Sequence, residues 1–124
     1  MNLVDSSGWL EYFADGPRAG AFAPALKDVD NVLVPTICIY EVFKVVLRER
    51  GEEDALQAAA LMKQCEVIDL TPEIAMVAAR IAIELGIPMA DSIIVATARM
   101  YEAVIWTLDS DFKKIEGAKY FSRK

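Results

Sequence analysis

The chain has 124 residues, of which 55% are hydrophobic, and its 13 basic and 19 acidic side chains give a net charge of −6. This length predicts one domain over residues 1–124, and the acidic balance excludes strong non-specific binding of nucleic acid, so a phosphate substrate would need a local basic patch or a metal. The start lacks the features of a signal peptide, and no apolar run is long enough to span a bilayer, so we expect a cytoplasmic protein with no membrane contact. In that compartment we expect Cys38 and Cys65 to be reduced and buried.

The first half of the chain predicts two strands, each followed by helix. A short buried strand covers residues 2–5, and two short amphipathic helices come after it. A second strand over 31–34 stops at Pro35, which cannot donate to a central ladder. Apolar residues then recur at helical spacing from 36 to 50, where a glycine ends the helix.

The second half continues the alternation of helix and strand. It predicts helices at about 52–64, 72–85 and 91–102, and strands at 66–70, 104–108 and 119–121. Thr71 supplies an N-cap before Pro72 at the first helical position. Strands that alternate with helices predict the α/β class, with a parallel sheet covered on both faces.

Four carboxylates stand at the ends of predicted strands or near the beginnings of predicted helices. They are Asp5, Glu41, Asp91 and Asp109. Acids placed in this way can converge at one edge of an α/β sheet. An all-oxygen cluster is typical of Mg²⁺ or Mn²⁺ rather than zinc. Such a site suits hydrolysis of phosphodiester bonds, because a bound metal lowers the pKa of water and no histidine base is needed in a chain that has none.

Each of these acids also has a purely structural interpretation. Asp5 and Asp109 could cap helices, Asp91 could interact with a helix dipole, and Glu41 could pair with Lys44. Against this, burying several carboxylates close together is costly unless a cation balances them. A shared metal site and four unrelated caps therefore stand as alternatives, which a Mn²⁺ titration would separate.

Other polar residues near the acids are candidates for supporting roles. Ser6, Ser7 and Thr107 could hydrogen-bond metal-bound water, although ordinary capping would also explain them. Lys44 and Arg48 lie on one face of the helix that carries the second acid and could hold a phosphate, or could be solvated. The segment after the fourth acid is the most basic part of the chain and could contact a nucleic-acid backbone, through Lys113, Lys114, Lys119, Arg123 and Lys124.

Taken in order, these motifs resemble the PIN-domain ribonucleases, in particular the VapC toxins of prokaryotic toxin–antitoxin pairs. The segments that carry the resemblance are Leu3-Val4-Asp5-Ser6-Ser7, Pro35-Thr36 through Tyr40-Glu41-Val42, Ile87-Pro88-Met89-Ala90-Asp91-Ser92-Ile93-Ile94 and Thr107-Leu108-Asp109-Ser110-Asp111-Phe112. The resemblance implies a three-layer α/β/α fold with a parallel sheet of about five strands. It also implies a Mg²⁺- or Mn²⁺-dependent endoribonuclease that cleaves RNA.

The resemblance assigns residues as well. It places Asp5, Glu41, Asp91 and Asp109 in the family's acidic quartet, and either Asp109 or Asp111 could be the closer metal ligand. Ser6 matches the hydroxyl residue that often follows the first acid, and Thr107 the one that often stands just before the fourth.

Partners follow from the same resemblance. Proteins of this kind usually form homodimers and bind an antitoxin that blocks the site. Trp9, Tyr12, Phe13 and Phe22 are candidates for the apolar groove that takes the antitoxin, with core packing as the alternative for Trp9 and Phe13. A PIN domain that processes RNA without belonging to a toxin pair is the alternative function.

Two other classes also place an acid after the first strand. A haloacid-dehalogenase-like phosphohydrolase needs a second Asp two residues after the first, but Ser7 stands there. A receiver-like binding domain needs an acidic pair near the first strand, which is absent, and would give Glu41 no role.

Overall fold

The computed structural model describes residues 1–123 and contains a five-stranded parallel sheet in the order β3-β2-β1-β4-β5. The strands are β1 (Asn2–Val4), β2 (Val32–Pro35), β3 (Glu66–Ile68), β4 (Val104–Thr107) and β5 (Lys119–Tyr120). The helices are α1 (Ser6–Phe13), α2 (Ala19–Lys27), α3 (Thr36–Arg50), α4 (Glu52–Met62), α5 (Pro72–Leu85) and α6 (Met89–Met100). Short 3₁₀ turns cover Val29–Asn31 and Ser110–Phe112.

The elements appear in the predicted order, with small differences at their ends. Pro35, which was expected to stop the second strand, is instead its last residue and lies in register with Ile68 of β3. The helix that was expected to begin at Asp91 begins at Met89, because Pro88 takes the N-cap position and Asp91 falls in the first turn. Thr71 caps α5 as predicted, and its hydroxyl accepts a hydrogen bond from the backbone N–H of Ile74.

The sheet is buried on both faces. Val32, Leu33 and Val34 follow one another in β2 and are all fully buried, which requires a covering layer on each side. With this strand order, the right-handed rule for crossovers between parallel strands places α1 to α4 on one face and α5 and α6, which pack against each other, on the other. The predicted three-layer α/β/α fold is therefore confirmed. Both cysteines, Cys38 and Cys65, are free and buried as expected.

Within residues 1–123, no single helix is long and apolar enough to cross a membrane, although α5 and α6 would pass by length and composition if taken together across their 116° bend.

The strand order creates a crevice beside β1. The chain runs from β1 outward to β2 and β3, then returns across the sheet to β4 on the other side of β1. Parallel α/β sheets bind ligands outside the carboxyl ends of strands at such a reversal. Val4 at the end of β1 pairs in register with Trp106 of β4, and the Asp5 N–H donates to the Trp106 carbonyl at 3.1 Å. The residues that follow β1 and β4 therefore meet in this crevice.

Candidate active site

Asp5 is held at the end of β1 by hydrogen bonds to both of its carboxylate oxygens. Oδ1 accepts from the Gly8 N–H at 3.0 Å and from Ser7 Oγ at 2.6 Å. Oδ2 accepts from Thr107 Oγ1 at 2.7 Å. The predicted capping role is thus real, because Asp5 is the N-cap of α1, but the bond from β4 goes beyond capping. Asp5 is 3% exposed, and its carboxylate is held in one orientation by these bonds.

Gly8 allows α1 to approach the sheet closely. A Cβ at this position would lie 2.5 Å from Val4 Cγ1 and 2.8 Å from Phe22 Cε1, closer than carbon atoms can pack. The absence of a side chain therefore lets the first turn of α1 sit against β1 and α2. This close approach carries the Gly8 amide to the Asp5 carboxylate.

The Ser7 and Thr107 hydroxyls also fix the end of β4. Ser7 Oγ accepts from the Leu108 N–H at 3.0 Å, and Thr107 Oγ1 accepts from the Asp109 N–H at 2.8 Å. Each hydroxyl thus donates to Asp5 and accepts from the loop after β4, so it sets the position of Asp109 relative to Asp5. Ser7 ties the two strands together as directly as Thr107 does, a role that spacing in the sequence did not indicate.

Ser6 connects α1 to α3 through the second acid. Its Oγ donates to Glu41 Oε1 at 2.6 Å, and both side chains are partly buried. Ser6, Ser7 and Thr107 had been considered as partners of metal-bound water, with capping as the alternative. In the structure each of these hydroxyls donates to a carboxylate, because burial makes an unpaired carboxylate oxygen costly.

The remaining acids form a compact group beside Asp5. Asp91, in the first turn of α6, has a carboxylate oxygen within 4.8 Å of oxygens from both Asp109 and Asp111. Asp109 caps the 3₁₀ turn by accepting from the Asp111 N–H at 2.9 Å, which holds these two side chains together. Asp109 and Asp111 therefore both lie near Asp91, rather than one in place of the other. Asp5 and Glu41 lie outside this group of three.

The five acids nevertheless share one electrostatic environment. Burial raises the pKa of Asp91 to about 7, and the negative charges of Asp109, Asp111, Glu41 and Asp5 add to the rise. Burial also raises the pKa of Asp5 to about 6, although the hydrogen bonds from Ser7, Thr107 and Gly8 oppose it and the charge of Asp109 adds to it. A divalent cation would relieve this repulsion, and a donor set made only of carboxylate oxygens fits Mg²⁺ or Mn²⁺.

The two cations proposed from the α3 helix lie on its exposed side. Lys44 Nζ stands 5.6 Å from the centroid of the Tyr40 ring. Arg48 approaches Glu49 at 3.8 Å while both side chains are 63% exposed, a pairing that contributes little in water. Their assignment to a phosphate stays a prediction.

A cavity that the sequence did not indicate adjoins the acids. It has a volume of about 370 Å³ and is lined by Ser7, Leu108, Asp109, Ser110, Tyr120, Ser122 and Arg123. Tyr120 reaches this place because it pairs in register with Thr107 at the end of β4. A short strand over residues 119–121 was predicted, but which strand it would pair with depends on the tertiary fold.

A larger groove of about 620 Å³ lies between α1, α3 and α4. Its apolar lining includes Leu10, Phe13, Val46 and Leu61. Of the four aromatic residues proposed for such a groove, Phe13 lines it and Tyr12 does not. Trp9 is 3% exposed and takes the alternative of core packing, and Phe22 is fully buried, so its assignment to a groove was wrong. The sequence could not separate these cases, because an apolar residue on a short helix has the same pattern whether it faces the sheet or a neighbouring helix.

The model of the PIN domain family matches residues 3–118 of the chain. No curated protein sequence matches it. Among solved structures, the chain is similar to VapC20 from Mycobacterium tuberculosis, described as a Sarcin-Ricin loop cleaving toxin, with 20% identity, a TM-score of 0.81 and coverage of 96% of this chain and 98% of that one. It is also similar to a toxin–antitoxin complex from Klebsiella pneumoniae, with 22% identity, a TM-score of 0.78 and coverage of 95% of each chain. A third similar structure is VapBC2 from Rickettsia felis bound to a DNA fragment from its promoter, with 16% identity, a TM-score of 0.75 and coverage of 98% and 97%.

Proposed function

The chain belongs to the PIN domain family, whose members are nucleases that generally act on RNA, and we propose that it is a divalent-metal-dependent endoribonuclease. One observation carries the proposal. Carboxylate oxygens of Asp91, Asp109 and Asp111 lie within 4.8 Å of one another in the crevice where β1 and β4 end. The donor set and the raised pKa of Asp91 both favour a bound Mg²⁺ or Mn²⁺.

The acids have different roles in this proposal. Asp91, Asp109 and Asp111 hold the cation. Asp5 adds a negative charge whose orientation is fixed by its hydrogen bonds, and Glu41 is positioned by Ser6. When bound, the divalent cation would offset the charge of the phosphate and activate water for attack on phosphorus. The fixed carboxylates keep this arrangement rigid, so that little reorganisation is needed when the scissile phosphate enters.

A cleavage assay with matched variants tests the proposal. Purified protein is incubated with labelled structured RNA in Mn²⁺, in Mg²⁺ and in EDTA. We expect cleavage only with metal and a loss of at least a hundredfold in Asp91→Asn. Asp30→Asn is the control, since Asp30 is exposed in the turn before β2, at the opposite edge of the sheet. Cleavage that persists in Asp91→Asn would identify a contaminating nuclease and refute the site.

We further propose that the enzyme is the toxin of a toxin–antitoxin pair. Support comes from the fold, which it shares with solved toxin–antitoxin proteins, including VapBC from Salmonella typhimurium bound to DNA. Expression in bacteria should then arrest growth, and the Asp91→Asn variant should not. Normal growth during expression of the active protein, confirmed by cleavage in the lysate, would favour a role in RNA processing.

The groove between α1, α3 and α4 is the proposed antitoxin site. Its apolar residues suit the apolar face of an amphipathic segment. The charged residues of its lining are the acids Glu11, Glu49 and Asp54 and the cations Arg50 and Arg123, so basic side chains of the segment would pair with the three acids. Binding of the protein encoded next to this gene, measured by calorimetry, should fall at least tenfold in Leu61→Asp. Leu56→Asp is the matched control, because Leu56 is also an exposed leucine of α4 but does not line the groove. Equal losses in both variants would contradict the assignment.

A second copy of the chain is the proposed partner for part of the outer surface. Met76 and Ile83 stand seven residues apart on one face of α5 and are 62% and 86% exposed. Burying such side chains against a symmetry-related copy would remove apolar surface from water.

The cytoplasmic location and the single domain over residues 1–124 stay predictions.

A further inference from the structure

The segment after β5 that lines the cavity beside Asp109 is held by several contacts. After β5, the Phe121 N–H donates to the Thr107 carbonyl at 2.8 Å, and the Phe121 ring meets the Phe22 ring edge-on with centroids 5.2 Å apart. Arg18 Nε then donates to the Ser122 carbonyl at 2.7 Å. The segment that carries Tyr120 and the residues after it is therefore tied to β4 and to the loop before α2, and its side chains line a preformed cavity.

The chemistry of the lining differs from that of the acid cluster. Ser110, Ser122 and Tyr120 bring hydroxyl groups, Tyr120 also brings an aromatic ring, and Arg123 brings a positive charge. Lys113 adds a second cation, with its Nζ 5.3 Å from the centroid of the Tyr120 ring. An aromatic ring with cations and hydroxyls around it provides the contacts that unpaired nucleotides make in proteins: stacking for the base, and polar partners for the sugar and phosphate.

Size and position restrict the occupant further. A volume of about 370 Å³ is at the lower end of small-ligand pockets and holds a group of nucleotide size, not a helix. The cavity shares Asp109 with the acid cluster, so its occupant would lie next to a phosphate held there. Arg123 and Lys113 disfavour a basic peptide segment in the same place.

We infer that this cavity binds one unpaired nucleotide adjacent to the RNA bond that is cut, with Tyr120 stacking on its base and Arg123 pairing with its phosphate. The inference rests on the proposed function, since it takes RNA as the substrate. It makes Tyr120 a positioning residue that selects single-stranded or looped RNA.

Equilibrium binding tests the inference. A fluorescein-labelled single-stranded RNA of about 12 nucleotides is titrated with the Asp91→Asn protein in Mn²⁺, so that cleavage does not interfere. Tyr120→Leu should weaken binding about tenfold, whereas Tyr120→Phe, which keeps the ring, should stay within about twofold. Tyr101→Leu is the matched control: Tyr101 is 44% exposed just after α6 and lines no part of this cavity.

The Arg123 contact has a separate readout. Arg123→Gln should weaken binding and should also reduce the slope of log K against log salt by about 0.7, the value for one phosphate contact on a single strand. Arg99→Gln, an exposed arginine in the last turn of α6, should leave both unchanged. Thermal unfolding of every variant confirms that the fold is retained.

Unchanged RNA binding in Tyr120→Leu would overturn the inference, as would equal weakening in Tyr120→Leu and Tyr101→Leu. A loss confined to binding of a basic peptide would assign the cavity to a protein segment and overturn it as well. The two proposals fail independently. Metal-dependent cleavage without an effect at Tyr120 refutes only the cavity, and weakened RNA binding in a protein that cleaves no RNA refutes only the nuclease.

Discussion

Removing the charge of Asp91 should stabilise the metal-free protein. Asp91→Asn keeps the size of the side chain and abolishes a carboxylate whose pKa is raised from 3.8 to about 7 by burial and by the neighbouring acids. A raised pKa means that the folded protein binds the proton more tightly than the unfolded chain does. The ionised carboxylate therefore destabilises the fold, and its replacement by a neutral amide should increase the free energy of unfolding.

The size of the effect follows from the pKa. One pKa unit corresponds to about 1.36 kcal/mol, so the rise to about 7 would correspond to about 4 kcal/mol for a fully buried group. Asp91 is only partly buried and water screens its charge, which reduces the expected gain to about 1–3 kcal/mol. The gain should approach zero only well below pH 3.8, the pKa of the unfolded carboxyl, where the group is protonated in both states. It should grow as the pH rises and be complete above about pH 7.

Urea unfolding in EDTA at pH 4.5, 6 and 8 measures this dependence, with Asp30→Asn as an exposed-acid control. In Mn²⁺ the order should reverse, because a cation that binds only the folded wild-type protein adds stability that the variant largely lacks. A variant that is no more stable than the wild type at pH 8 in EDTA would refute the reasoning. So would a gain that does not depend on pH.

Three other perturbations have definite expected outcomes. Thr107→Val removes the hydroxyl that donates to Asp5, so the free energy of unfolding in urea should fall by about 1–3 kcal/mol, and RNA cleavage should fall with it. Thr107→Ser keeps a hydroxyl and should recover most of both. Gly8→Ala should lower the free energy of unfolding by about 1–3 kcal/mol in the same urea assay, because its Cβ would lie 2.5 Å from a methyl group of Val4 in β1. Gly20→Ala is the control and should cost nothing, because no atom lies within 4 Å of a Cβ added there. Ile83→Ser should convert the proposed dimer to a monomer in light scattering after gel filtration, and an unchanged mass would exclude α5 from the interface.

Which acids come together was easier to predict from the sequence than how they are arranged. Of the four acids that the pattern at element ends named, Asp91 and Asp109 lie together, and they are joined by Asp111, which only the resemblance had offered as an alternative to Asp109. The pattern did not indicate that both carboxylate oxygens of Asp5 would accept hydrogen bonds, or that Ser7 would connect Asp5 to the loop after β4. Hydrogen bonds between residues about 100 positions apart depend on which strands become neighbours, and periodicity carries no information about that.

By itself the sequence determined the elements and their class. Apolar runs with a period near two or near 3.6, and stops such as Gly51 and Gly86, are local properties set by backbone geometry and solvent exposure. Only the tertiary structure decided the strand order, which makes β1 and β4 neighbours and places Tyr120 opposite Thr107. It also decided that Trp9 and Phe22 face the core while Phe13 lines a groove. These outcomes depend on how whole elements pack, because the side of a short helix that becomes buried is set by its neighbours in space and not by the residues beside it in the chain.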